Sequence, residues 1–167
     1  MINENDAGLL VESQTFNDLG RELYKLLGPG DTQLEYSVNM LRGTGQSTTR
    51  VFTPQGDFER GGERFRSTGT SVPVLKATRA LRQACYREGT GTWFSATITV
   101  TAQGAANAEY NYDNEPNWDT PIDPAAYVED QEFFPRDLSA QPQWLRQRLA
   151  EGQARIEASG NKRRRRL

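Results

Sequence analysis

The sequence predicts an α+β fold: an antiparallel β-sheet with helices packed against it, flanked by an N-terminal and a C-terminal helix. Apolar and polar residues alternate over Leu34–Met40 and over Phe94–Thr101, the pattern of half-buried strands. Apolar residues recur at helical spacing in Phe16, Leu19, Leu23 and Leu26/Leu27, and again in Val74, Leu75, Thr78, Leu81 and Cys85. The resulting order, α-β-β-(β)-α-β-β-α-α, is that of an α+β protein.

The elements follow in turn. Ser13 or Thr15 is placed to cap the first helix, and Gly28-Pro29-Gly30 ends it, because Gly supplies the left-handed cap and Pro cannot continue. After the Leu34–Met40 strand, Arg42–Gly45 reads as a turn into a β-rich run from Thr48 to Thr53, and Pro54–Asp57 as a second turn. Phe58–Ser71 is rich in Gly, Arg and Ser and fits either a short strand or a mobile loop. A helix is expected over Val72–Arg87, with Pro73 in its first turn and Lys76, Arg79 and Arg82 facing water. Gln103–Ala105 turns the Phe94–Thr101 strand into a returning strand, Glu109–Asp113, with Tyr110 and Tyr112 on one face. A Pro/Asn/Asp loop around Trp118 leads to a short helix from Asp123-Pro124 to Phe133, stopped by Pro135. A final helix is expected over Ser139–Ala158, with Trp144, Leu145, Leu149 and Ile156 inward.

One domain is expected over residues 1–160, followed by a basic, disordered tail over 161–167 after the Gly160-Asn161 stop. Sixteen aromatic residues (seven Phe, six Tyr, three Trp) supply a core to a chain that is only 35% hydrophobic. No run approaches the ~20 apolar residues that span a bilayer, so no membrane partner is expected. Met1–Asp6 carries no basic residue ahead of Leu9–Val11, so a signal peptide is not expected, and the lone Cys85 fits a reducing cytoplasm.

The net charge of −2 conceals a segregation. Lys162–Arg166 holds five of the 20 basic residues, leaving 15 against 22 acids. Nine of those acids lie between Glu109 and Asp137, opposed there only by Arg136. A field of that sign repels nucleic acid and suits a basic protein surface.

Catalytic machinery is sparse. With no histidine and one cysteine, the chain lacks a Cys–His pair, a Ser–His–Asp triad and any ordinary zinc site. Gly43/Gly45, Gly61/Gly62 and Gly89/Gly91 match neither phosphate-loop nor dinucleotide patterns, and the acidic loop lacks the calcium-loop spacing. Carboxylates such as Asp113 and Asp119 are the remaining catalytic candidates, with nothing to place them around a cleft. Cys85, on the inner stripe of its helix, reads as packed and inert. The expectation is a binding protein and no enzyme, with no cofactor and no metal.

The informative segment is Glu109-Tyr-Asn-Tyr-Asp-Asn-Glu-Pro-Asn-Trp118-Asp119, where strand aromatics run into an acidic loop. Tyr and Trp are common interface anchors, and rim acids steer a basic partner. Large aromatics are also mostly buried, so Tyr110, Tyr112 and Trp118 each fit the core as well. The competing signal is the Lys162–Arg166 run, which reads either as a solubilising end or as the contact of a nucleic-acid adaptor.

Tyr110–Trp118, with Pro121, Tyr127, Asp130, Phe134-Pro135-Arg136-Asp137 and Pro142-Gln143-Trp144-Leu145, resembles the C-terminal half of YezG-like immunity proteins. The resemblance is nearest to the actinobacterial branch, which includes the antitoxin of the mycobacterial NAD-cleaving necrotizing toxin. It covers residues 93–149; the first ninety residues fit in element order only, and the Arg-rich run is not part of the pattern. It implies a small cytoplasmic α/β protein that binds one secreted toxin, one to one, and occludes its active site. A toxin acting on NAD or nucleic acid has a basic substrate cleft. On this reading Tyr112, Asp113, Glu115, Trp118 and Asp119 make the contact, and Asp123, Glu129, Asp130 and Glu132 steer the approach.

Overall fold

Alternation sets the sheet. In a computed structural model, which describes residues 4–166 and their side chains from Asp6, the first helix α1 runs Glu4–Tyr24 and the first strand β1 runs Gln33–Met40. Every second side chain of β1 is buried. The chain continues through β2 (Gly45–Phe52), β3 (Phe58–Arg60), β4 (Glu63–Thr68), α2 (Val72–Ala84), β5 (Ser95–Thr101), β6 (Ala106–Asn111), α3 (Ala125–Phe133) and α4 (Gln143–Arg164). The strands form one six-stranded antiparallel sheet in the order β3-β4-β2-β1-β5-β6, an α+β arrangement as the sequence predicts. Parts of the reading of Met1–Asp6 and of the 161–167 tail fall on Met1–Asn3 and Leu167, which lie outside the described residues.

Two compact units gather these elements: residues 1–38, 47–85 and 95–110, and residues 39–46, 86–94 and 111–167. In the first, α1 packs against α2 and β5. Its core joins Leu19 and Leu23 of α1, Leu34, Tyr36 and Val38 of β1, Val51 of β2, Ala96, Ile98 and Val100 of β5, and Val74 and Leu81 of α2. The Thr78 hydroxyl donates to the Val74 carbonyl (2.7 Å), so the buried Tyr36 hydroxyl must be the donor in its 2.9 Å bond to Thr78. Glu35 accepts from Arg60 and Arg50 on the other face of β1.

Several expectations are corrected. α1 starts well before Thr15, with no proline between Asp6 and Gln14 to interrupt it; Thr15 sits mid-helix and donates to the Val11 and Glu12 carbonyls. Of the two readings of Phe58–Ser71, the strand holds and the loop does not: Phe58–Thr68 is a hairpin, β3–β4, turned by Gly61 and Gly62, both at positive φ. Arg82 does not face water but is buried beside Thr78, Leu81 and Cys85 on the inner stripe of α2, which ends at Ala84. The strand β6 ends at Asn111, so Tyr112 lies beyond it. Ser139 falls in a 3-10 turn, Leu138–Ala140, ahead of α4. Gly160 and Asn161 do not stop α4, which carries the basic run in helical form to Arg164, and Ile156 is exposed on it.

In the second unit α3 packs on α4, and Gly152 of α4 lies close against Pro124 and Val128. A Cβ there would strike the Pro124 carbonyl oxygen and lie 2.8 Å from Val128 Cγ2. Ala is favoured over Gly inside a helix by about 1 kcal/mol, yet Gly152→Ala is expected to lower stability by about 1–3 kcal/mol through overpacking, measured by denaturant unfolding. Glu35 gives a pH test. Its hydrogen bond to Arg60 holds the carboxyl below its ordinary value against the opposing effect of burial. That stabilisation is complete above the ordinary carboxylate range and is lost as pH falls through the depressed value. Glu35→Gln is therefore expected to flatten the acid limb of a melting-temperature profile.

Candidate functional site

The second unit is organised around the Phe94 ring. Trp144 and Tyr127 meet it edge-on, with centroids 5.2 and 6.5 Å away, and the Arg136 guanidinium lies 4.7 Å from its centre. Leu41, Phe94, Tyr127 and Leu145 form the buried cluster, with Trp118, Ile122, Trp144 and Leu149 packed against it. Arg136 is itself buried and donates to the carbonyls of Thr92 (3.0 Å), Ala140 (3.2 Å) and Tyr112. Gly91 explains how it fits: its φ is +81°, and a Cβ there would sit 2.6 Å from Arg136 Cγ. Gly89, also at φ +81°, accommodates the Asp137 carboxylate in the same way. The Gly-x-Gly spacing that matches no phosphate loop thus admits a buried arginine.

Residues 111–120 are tied down along their length. The Asn111 side-chain oxygen accepts from the Asn114 amide (2.9 Å), while its nitrogen donates to the Asn114 carbonyl (2.9 Å). Trp144 Nε1 donates to the Asp113 carbonyl (2.7 Å), and Arg148 Nε to the Glu115 carboxylate (2.7 Å). Asn39 donates to the Asn117 carbonyl (3.0 Å). Gln46 accepts from the Asp119 amide (2.6 Å) and donates to the Thr120 hydroxyl (2.9 Å). The loop is thereby a fixed surface feature, ordered before any partner arrives.

The residues singled out from sequence divide into three groups. Trp118 turns inward: half-buried against the core cluster, it donates its indole N–H to the Tyr127 hydroxyl at 2.9 Å. Burial raises the Tyr127 phenol above its ordinary value, more than this bond lowers it. Tyr112 is half-buried, its carbonyl held by Arg136. Asp130 cannot steer anything at a distance, being buried and accepting the Arg42 backbone N–H at 2.6 Å. Glu115 and Asp123 are surface groups paired with arginines of α4, Arg148 at 2.7 Å and Arg155 at 3.2 Å. Asp113, Asp119, Glu129 and Glu132 remain as the exposed acids of the set. The Asp113 side chain is 84% exposed, with Arg136 Nη1 3.6 Å away.

The structure adds an aromatic that sequence reasoning passed over. Phe133 is 53% exposed, and the Arg42 guanidinium lies 4.2 Å from its ring centre. On α3 Glu129 lies four positions before Phe133 and three before Glu132, so it neighbours both on the helix surface. The signal was present as Phe133-Phe134, where one ring must point away from the core that the other meets.

Among the described residues, no group of three or more His, Cys, Asp or Glu side chains is placed to hold a metal ion. No described helix is long and apolar enough to cross a membrane. Comparison with models of protein families and with curated proteins gave no match to this chain.

The inward Trp118 has a measurable consequence. Trp118→Ala is expected to cost stability by about 2–4 kcal/mol, since it empties part of the cluster and orphans the Tyr127 hydroxyl. Chemical denaturation checks this; an unchanged midpoint would place Trp118 on the surface.

Proposed function

We propose that the chain is an immunity protein: it binds one cognate toxin in the cytoplasm of the producing cell and occludes the toxin's active site, without catalysis or cofactor. The observation that carries the reading is the anchored loop displaying Asp113 and Asp119, in the same unit as the Glu129/Glu132/Phe133 face of α3. Rigid acids suit a cleft lined with cations, and a toxin that cleaves NAD or nucleic acid must line its cleft that way to hold phosphates. The YezG-like pattern over residues 93–149 supports the same conclusion from sequence.

Phe133 replaces Trp118 as the aromatic anchor. An exposed ring stiffened by an arginine and bordered by acids has the composition of an interface hot spot. Glu115 and Asp123 contribute less field than their charge implies, because Arg148 and Arg155 offset them.

Charge reversal at Asp113, Asp119, Glu129 and Glu132 together is expected to weaken binding of the toxin encoded beside this chain by at least about tenfold and to flatten its dependence on salt. Phe133→Ala is expected to weaken it by about thirtyfold or more at an unchanged melting temperature. Calorimetric titration across a salt series measures both. Unchanged affinity and salt slope in the quadruple variant would contradict the assignment of this surface.

A further inference from the structure

Residues 153–166, the last part of α4 and the two residues after it, are exposed without interruption. Gly152 is the last buried position, and the Arg155–Asp123 pair (3.2 Å) is the last ion pair along the helix among the described residues. At 1.5 Å per residue, Arg164 stands ~18 Å beyond Gly152. Lys162, Arg163 and Arg164 are the last helical residues, stepping 100° each, and Arg165 and Arg166 follow as cap and turn. The helix dipole favours cations in this last turn, but five consecutive like charges repel one another there. A long exposed helical segment containing Ser159, Gly160 and Asn161 gains little from its own propensity. A neutralising partner would resolve this conflict.

The same unit carries the complementary surface. Asp119, Glu129 and Glu132 are exposed, and no ion pair is made by their side chains among the described residues. The helix carries the cations away from Asp123, the last acid that α4 contacts. Nucleic acid is the poorer occupant, because outside the basic run the chain has 15 basic residues against 22 acids and repels phosphates.

We propose that the Arg-rich end of α4 docks on the acidic face of a second copy of this chain, marked by Asp119, Glu129 and Glu132. The two copies exchange ends around a two-fold axis, so each contact is made twice. The pairing rests on charge and placement alone, whatever the toxin. It covers the acids assigned to toxin binding, so a bound toxin and a second copy compete for them.

Sedimentation equilibrium at about 100 µM protein, in about 20 mM and about 500 mM salt, tests it. The intact chain is expected to show twice its 18.8 kDa mass at low salt and the monomer mass at high salt. Two variants touch no buried side chain: Gln at Lys162 and Arg163–Arg166, and Asp119→Asn with Glu129→Gln and Glu132→Gln. Each is expected to stay monomeric at low salt. Mixed in equal amounts they are expected to restore association, since one complementary contact survives. A monomeric intact chain at low salt, or a dimer persisting in either variant, overturns the proposal. So does binding of a labelled single-stranded RNA that requires the five cations while the chain itself remains monomeric, an outcome that assigns the basic run to nucleic acid.

Discussion

The second unit depends on the satisfaction of one buried charge. Burying a guanidinium is costly unless its N–H groups find acceptors, and Arg136 finds them on three stretches of backbone, at Thr92, Tyr112 and Ala140. The face of the same group lies on Phe94, where the ring quadrupole supplies attraction that water no longer can. A lysine would not reproduce it, since its three N–H groups radiate from a single nitrogen, whereas the planar guanidinium presents Nη1 to Ala140 and Nη2 to Thr92 and Tyr112. Gly91 leaves the space, and the backbone of Asp137 donates to the Gly89 carbonyl at 2.8 Å to close the arrangement.

From this anchor the candidate surface follows. Arg136 fixes the start of the loop at Tyr112, and Trp144, set edge-on to Phe94, fixes Asp113. The next turns of α4 bring Arg148 to Glu115 and Arg155 to Asp123. Each contact orders the loop and removes some of its negative field, so the helix that positions the acids also selects which stay uncompensated. Those are few, and they lie with an aromatic ring exposed enough to meet a partner.

Periodic elements were legible in the sequence because their cause is local. β1 and β5 alternate, and the inner stripes of α1 and α2 repeat, so the α+β class could be read directly. The β3–β4 hairpin was legible only as one of two alternatives, because each strand carries a single large apolar residue, Phe58 or Phe65, and shows no alternation. Thr15 imitates a cap, and its mid-helix role depends on the helix-compatible residues before it. The candidate loop was found by composition, but the orientation of its side chains was not. Trp118 turns inward because Tyr127 offers a buried hydroxyl, and Asp130 is buried because a backbone N–H 88 residues away meets it. Arg82 escaped notice because a charged residue on the edge of an apolar stripe reads as solvated. Each error arose where a tertiary partner, invisible to a local pattern, overrode composition.

Native-state hydrogen exchange at residues 111–120 tests the anchoring most directly, comparing the intact chain with Arg136→Lys. The Asn114 and Asp119 amides, bonded to Asn111 and Gln46, are predicted to be protected in the intact chain and to exchange near the unprotected rate in the variant, while the β5 amides keep their protection. Fast exchange of this loop in the intact chain, or protection unaltered by the loss of Arg136, would contradict the account.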